Sequence, residues 1–246
     1  MTAPVFVVDR FGPGRGGRFV LDGPEGRHAV SVKRLRTGEG VVLTDGAGHW
    51  AEGEVTGTEG KDRLLLDLRE VREEPMPTPR ITVVQALPKG DRGELAVETM
   101  TEVGVDAIVP WAAARCITQW KGERGARALA KWRATAREAG KQSRRVRFPE
   151  VDEPATGKRV AALLAEADFA AVLHESGMAP LAAADLPAEG EIVLVVGPEG
   201  GVSPEELALF EEAGAKPYRL GPSVLRTSTA GTAAAALLLG RTGRWS

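Results

Sequence analysis

The sequence predicts an α/β protein in two domains, a small β-barrel followed by a larger domain with a largely parallel sheet. Three observations carry that prediction. Up to about residue 70, short β-branched runs alternate with glycine-rich turns. The stretch REEPMPTPR at 72–80 then sets three prolines among other residues and resists helix. Beyond it, short apolar runs alternate with segments of helical periodicity, the order that builds a parallel sheet covered by helices. The expected boundaries are 1–73 for the barrel, 74–79 for a linker and 80–246 for the α/β domain.

In the first domain the strand-like runs are 5–8, 18–21, 40–43, 50–55 and 64–68, with one helix expected over 25–36. The run GPGRGG at 12–17 spells G-x-G-x-x-G. It leads into another strand-like run, whereas a dinucleotide loop must open a helix, so that reading fails. After the linker, ITVVQAL (81–87) reads as a strand, 94–103 as a helix and AIVPWA (107–112) as a strand. Residues 124–142 form a helix with Leu129, Trp132, Ala136 and Ala139 on one stripe. A helix over 160–167, the strand FAAVLH (169–174) and the apolar run 192–196 follow. Ser203 then fits an N-cap, Pro204 the first helical position, Glu206 an S-x-x-E capping box and Gly214 the helix stop. PYRL (217–220) is the last strand. An Ala/Leu-rich helix over 228–239 ends the pattern, with Thr227, Ser228 and Thr229 available to cap it.

Composition narrows the function classes. With 246 residues, 43% apolar and 27% charged, the chain can bury a full core. No apolar run reaches the ~18–20 residues of a membrane span, and MTAPVFVVDR lacks the basic start and apolar core of a signal peptide. A single cysteine, Cys116, excludes an internal disulfide and fits a cytoplasmic address and a core thiol. His28, His49 and His174 are far apart without ligand spacing, so no metal is expected. The net charge is −2, yet residues 121–147 hold ten Lys or Arg against two Glu. That local excess of +8 leaves −10 elsewhere. A basic segment on an acidic body fits a localised polyanion contact, a nucleic acid before any other.

The chemistry is sought where strands run into loops. IVLVVGPEGGVSPEEL, residues 192–207, passes from a buried strand into three glycines, a proline and one carboxylate, and at once into a helix. Missing side chains let a ligand approach the backbone, and such a loop lies outside the carboxyl end of its strand. LGPSVLRTSTAG (220–231) leaves another strand for another helix, with Arg226 as its one charge. VLHES ends a third strand at His174 and Glu175. Three loops at one end of a parallel sheet converge on one pocket. None has the Walker pattern, and no Ser-His-Asp set or carboxylate pair stands out. A pocket rich in backbone groups and poor in reactive side chains suits a ligand that carries its own reactivity.

Paired at this spacing, LVVGPEGGVSPEEL and RLGPSVLRTSTA resemble the two C-terminal motifs of the bacterial 16S rRNA uridine-N3 methyltransferases, members of the SPOUT superfamily. RHAVSVKRLRTGEGVVLTDG resembles that family's N-terminal PUA-like RNA-binding barrel. TEVGVDAIVPWAAARC and AGKQSRRVRFPEV resemble its middle motifs, so the resemblance spans nearly the whole chain. It implies a deep trefoil knot in the SPOUT domain, a homodimer, S-adenosyl-L-methionine as cofactor, and 16S rRNA of the small ribosomal subunit as partner, at uridine 1498 in customary numbering. Val196, Gly197, Pro198, Glu199, Gly200 and Gly201 would form one wall of the cofactor site. Leu220, Gly221, Leu225 and Arg226 would form another, and Leu173, His174 and Glu175 the edge.

For catalysis the resemblance and the chemistry name Arg226 and Arg145 to stabilise the negative charge that develops on the uracil. Glu199 is the nearest candidate base, with hydrogen bonding of its own loop as the competing role. Candidate RNA contacts are Lys33, Arg34, Arg36, Lys89, Arg144 and Arg145. Four positions depart from the family's usual residues: Val5 for arginine, Lys33 for leucine, Thr99 for lysine and Ser228 for glutamate. The last weighs against an acidic catalyst at the start of the final helix. Two other readings stay open, a non-catalytic RNA-binding protein and a SPOUT enzyme acting on tRNA or another rRNA site.

Overall fold

The computed structural model describes residues 3–11 and 16–245, so most of the GPGRGG run lies outside the described residues. Two units emerge. One joins Met1–Met76 to Gly140–Phe148, and the other joins Pro77–Ala139 to Pro149–Ser246. The expected span 80–246 is therefore interrupted, because nine of its residues belong with the first unit.

The first unit is a mixed sheet of β1 (Val5–Val7), β2 (Gly17–Leu21), β3 (Gly40–Thr44), β4 (His49–Glu59), β5 (Arg63–Leu68) and β6 (Arg72–Glu73). Its order is β1-β3-β4-β5-β2, with β6 paired to the start of β4. The period of two sets the core: Leu64, Leu66 and Leu68 of β5 are buried, whereas Arg63 and Asp67 are exposed. They pack with Phe6, Leu21, Val41, Leu43 and Val55. The helix α1 (Gly23–Arg27) meets the end of β2 and the turn before β5 at Gly26, where a Cβ would lie 2.2 Å from the Asp62 carbonyl oxygen. Only glycine admits that approach.

The helix expected over 25–36 stops early. A π-helical turn over His28–Val32 follows α1, with the Lys33 N–H donating to the His28 carbonyl at 2.8 Å. Arg34 then turns left-handed at φ 55° and ends it.

Residues 140–148 complete this unit. The Thr44 hydroxyl donates to the Val146 carbonyl at 2.6 Å, and the Phe148 N–H donates to the Gly46 carbonyl at 2.8 Å. The Phe148 ring fills the space beside Gly46 and Gly140, where added Cβ atoms would come within 2.7 and 2.3 Å of it. Lys141 Nζ meets Glu25 Oε1 at 2.8 Å, with the two side chains 6% and 14% exposed. Removing one partner of so buried a pair strands a charge, a loss of roughly 3–5 kcal/mol.

The second unit is a seven-stranded sheet, parallel at every pairing: β7 (Arg80–Ala86), β8 (Ala107–Trp111), β9 (Glu150–Val151), β10 (Phe169–Leu173), β11 (Ala179–Pro180), β12 (Glu191–Val196) and β13 (Lys216–Arg219). The order is β11-β13-β10-β12-β7-β8-β9. Helices α2 (Arg92–Val103), α3 (Gly122–Gln142, its last three residues belonging to the first unit), α4 (Gly157–Glu166), α5 (Pro204–Glu212) and α6 (Thr227–Arg241) complete it.

Both faces of the sheet are covered, which is why its strands read as continuous apolar runs. Ile81, Val83, Ile192 and Leu194 face a core shared with residues of α2, α3 and α6. Val84, Val193 and Val195 face a second core with Val160 and Leu164 of α4 and Phe210 of α5. The stripe of α3 is buried as its period requires, with Leu129 at 5% and Trp132 at 2% exposure. The two edge pairings, β9 and β11, are two residues long and carry no periodic signal.

Candidate active site

The parallel register brings the carboxyl ends of β10, β12 and β13 together, with Leu173 opposite both Val196 and Tyr218. Chain order reverses beside β7, the arrangement in which α/β sheets open a crevice. A cleft of about 610 Å³ lies at the carboxyl ends of β10, β12 and β13, next to that reversal.

Leu173, His174 and Glu175 supply one side. The His174 N–H donates to the Tyr218 carbonyl, and its ring Nδ1 lies 2.6 Å from the Ser176 hydroxyl. Val196, Gly197, Pro198, Glu199, Gly200 and Gly201 form the second wall, while Leu220, Gly221, Leu225 and Arg226 lie on the third. Every residue that the sequence assigned to the cofactor thus lines one cleft. Arg92, Arg115 and Arg219 line it too and were missed by sequence reasoning, whereas Val202, residues 222–224, Thr227 and Ala230 line it within the two loops already placed at the pocket. Arg115 was findable, since it follows the end of a parallel strand as the other site residues do.

The glycines act differently from one another. A Cβ on Gly197 would come 2.9 Å from Val202, and one on Gly200 would come 3.2 Å from the Arg115 Cβ. Gly201 has φ 73° and closes a turn by donating to the Pro198 carbonyl at 2.8 Å. These three shape the loop itself. Gly221 is the one with nothing within 4 Å of an added Cβ.

The loop is braced from outside. Glu199 Oε1 accepts the Lys89 N–H at 3.1 Å, and Arg115 donates to the Gly200 carbonyl at 3.1 Å. Ser203 caps α5, and Glu206 returns to the Ser203 N–H, the capping box expected. The other oxygen of Glu206 accepts the Ala114 N–H at 2.7 Å, tying α5 to the chain after β8.

The start of α6 departs from expectation. Its N-cap is Arg226, without a side-chain cap bond, and Ser228 is 1% exposed with an unpartnered hydroxyl. The Thr227 carbonyl instead accepts from the buried Gln85 amide at 3.3 Å.

Four arginines and two glutamates line the cleft, so it is electropositive. Among the described residues, Arg92, Arg219 and Arg226 carry no ion pair. Arg145 does not line the cleft. It belongs, with Arg144, Lys33, Arg34 and Arg36, to the first unit. Lys89 is exposed on the loop after β7. Cys116 is half-buried rather than fully so, and burial pushes its thiol above the usual range. Among the described residues no group of His, Cys, Asp or Glu could hold a metal, and no helix is long and apolar enough to cross a membrane.

Residues 74–239 match the model of the RNA methyltransferase domain, and residues 21–69 that of the RNA methyltransferase PUA domain. The chain belongs to the RNA methyltransferase family. Within it, ribosomal RNA small subunit methyltransferase E of Mycobacterium bovis is 45% identical, an alignment that covers 100% of this chain and 94% of that one. The Bacillus subtilis protein of the same name is 28% identical, with 86% of each chain covered. The ribosomal RNA small subunit methyltransferase E structure from Neisseria gonorrhoeae, bound to S-adenosyl methionine, has a TM-score of 0.83 at 29% identity, over 98% of both chains. The fold of this RNA methyltransferase is accordingly a SPOUT α/β domain with a PUA-type barrel.

Proposed function

We propose that this chain methylates N3 of one uridine in 16S rRNA of the small ribosomal subunit, uridine 1498 by the resemblance, with S-adenosyl-L-methionine as methyl donor. The observation that carries the reading is the cleft. Three strand-end loops meet there, and at Gly221 an added Cβ would meet no protein atom. Its volume lies within the ~300–1,000 Å³ of small-molecule sites. The residues present therefore fit the cofactor, which when bound supplies an electrophilic methyl group on a sulfonium. Backbone groups of 197–201 and 220–225 would hold it, with Leu173, His174 and Glu175 at the edge.

The chain's own contribution is position and charge. Uridine N3–H is a weak acid, so catalysis requires its deprotonated form held in line with the methyl group. Arg226 stabilises the charge that then spreads over the uracil oxygens. Glu199 holds the Lys89 N–H, and we assign it to bracing the loop ahead of proton removal. Arg145 is assigned to the rRNA backbone with Arg144, Lys33, Arg34, Arg36 and Lys89. The trefoil threading and a homodimer belong to the same reading.

Small subunits from a strain lacking this gene test it. The reading expects one uridine in 16S rRNA to lose an N3-methyl group and to regain it when the purified chain and S-adenosyl-L-methionine are added. A missing methyl group on tRNA, or at another rRNA position, would overturn it.

A further inference from the structure

A second cavity, of about 520 Å³, opens in the α/β unit across the chain stretch that follows β7. Neighbouring residues divide between the two cavities. Arg92 and Arg115 line the cleft, whereas Gly93 and Ile117 line the second cavity.

Its walls are two indoles. Trp120 and Trp132 meet edge to face, with ring centroids 4.9 Å apart and planes at 79°. Trp132 is 2% exposed and belongs to the core, while Trp120 is half-buried against it. Gly93 sets the position of the Trp132 ring, and Gly125 that of the Trp120 backbone. A Cβ on Gly93 would come 2.7 Å from the Trp132 ring, and one on Gly125 would come 2.8 Å from the Trp120 carbonyl carbon. Gly93 thus fixes the Trp132 ring, Trp120 packs edge to face against that ring, and the cavity opens beside the indole pair rather than between the two rings.

The mouth is polar and positive. Glu94 is neutralised by Lys131 at 2.9 Å, and the Thr118 hydroxyl is committed to the Pro88 carbonyl at 2.8 Å. Arg124 is exposed at the rim and has no ion pair among the described residues. Aromatic walls with a free guanidinium at the mouth suit a flat ring joined to a phosphate.

We infer that this cavity receives one unpaired base of the substrate rRNA, a near neighbour of the nucleotide in the cleft, with Arg124 on its phosphate. The inference rests on the rRNA reading above and adds a second point of recognition to it. The base stacks on Trp120, the more exposed of the two indoles, and chain neighbours such as Arg92 and Gly93 border the two cavities, so that a single strand reaches both.

The test uses unmethylated small subunits from the deletion strain, bound to the full chain and probed with base-specific chemical reagents. Wild type should protect one base besides the methylated uridine. Trp120→Ala should lose that protection alone and bind subunits roughly 5- to 150-fold more weakly, the range for removing one stacking aromatic. Trp120→Phe should restore both, and all three proteins should bind S-adenosyl-L-methionine equally. If Trp120→Ala leaves the footprint unchanged, or erases it entirely, the cavity is not a base site. A Trp120→Ala chain that changes its sedimentation would make this face a contact between copies of the chain, which also overturns the inference. Wild type that methylates subunits without a second protected base sinks this proposal alone. Wild type that neither binds nor methylates them sinks the rRNA reading as well.

Discussion

At the scale of single residues, the glycine loop was legible as a place but not as a mechanism. Its three glycines signal that side chains are unwelcome, yet the reason differs at each. Gly197 yields to Val202, Gly200 to Arg115, and Gly201 to a left-handed turn. Residues that meet from 85 positions apart, as Arg115 and Gly200 do, leave no trace in a local pattern. Gly221, which the resemblance places in a wall of the cofactor site, is the cleft glycine where a side chain would meet only open space. Gly221→Val should therefore keep the melting temperature while weakening S-adenosyl-L-methionine binding at least ~10-fold by calorimetry, the effect of about 1.4 kcal/mol. Gly201→Val is expected to lose stability as well, through its φ of 73°. Glu191 gives a second prediction. Burial pushes its carboxyl above the usual 4.5, against the Thr82 hydroxyl and Arg80, which pull it down. The folded state then holds this proton more tightly than the unfolded state. Its contribution is present below the usual glutamate value and disappears as pH rises through the folded one. Denaturant melts taken upward from the usual glutamate value should show wild type losing stability relative to Glu191→Gln as the pH rises. Parallel curves would contradict the assignment.

Elements were read well where a motif fixes an end. Ser203, Pro204 and Glu206 placed the start of α5 to the residue, because a capping box is a local arrangement. The helix expected over 25–36 is too long, since its stop rests on an arginine in a conformation that favours glycine. Arg34 at φ 55° and Arg144 at φ 60° are the two non-glycine left-handed residues among those described. Each follows a helix end in the first unit, where glycine is the usual choice. A left-handed arginine is destabilised by about 1–2 kcal/mol, which suggests that its charge is wanted there more than its conformation. Arg34→Gly and Arg144→Gly should each raise stability by about 0.5–1 kcal/mol, read as a higher denaturant midpoint. Both should nonetheless bind small subunits more weakly, with the salt dependence flattened by about 0.7–0.9 in log K per log salt for each phosphate no longer neutralised. Stabilised variants with unchanged RNA affinity would show these arginines to be bystanders.

At the scale of the whole molecule, the alternation of strands and helices after residue 80 was enough to give a parallel sheet with two covered faces. What it could not give is a unit assembled from two distant stretches, because periodicity reports a residue's face and not its distant neighbour. The proposed homodimer belongs at this scale. Leu95, Val224 and Leu225 are exposed apolar side chains on the α/β unit, at 43, 83 and 41%, and a partner would cover them. Sedimentation at micromolar concentration should report roughly twice the 26.0 kDa chain mass. A fully active monomer would refute it.

The Gly140–Phe148 insertion also orders events on the ribosome that makes this protein. The N-terminal sheet lacks its Val146 acceptor and its Phe148 ring until residue 148 has left the exit tunnel. Residue 76 precedes that point by 72 positions, which at ~5–20 residues per second is roughly 4–14 s of synthesis. The first unit to begin thus waits, unfinished, for the middle of the second. A gene fragment that stops at the proline-rich stretch would encode a sheet with an open seam rather than a separable RNA-binding module.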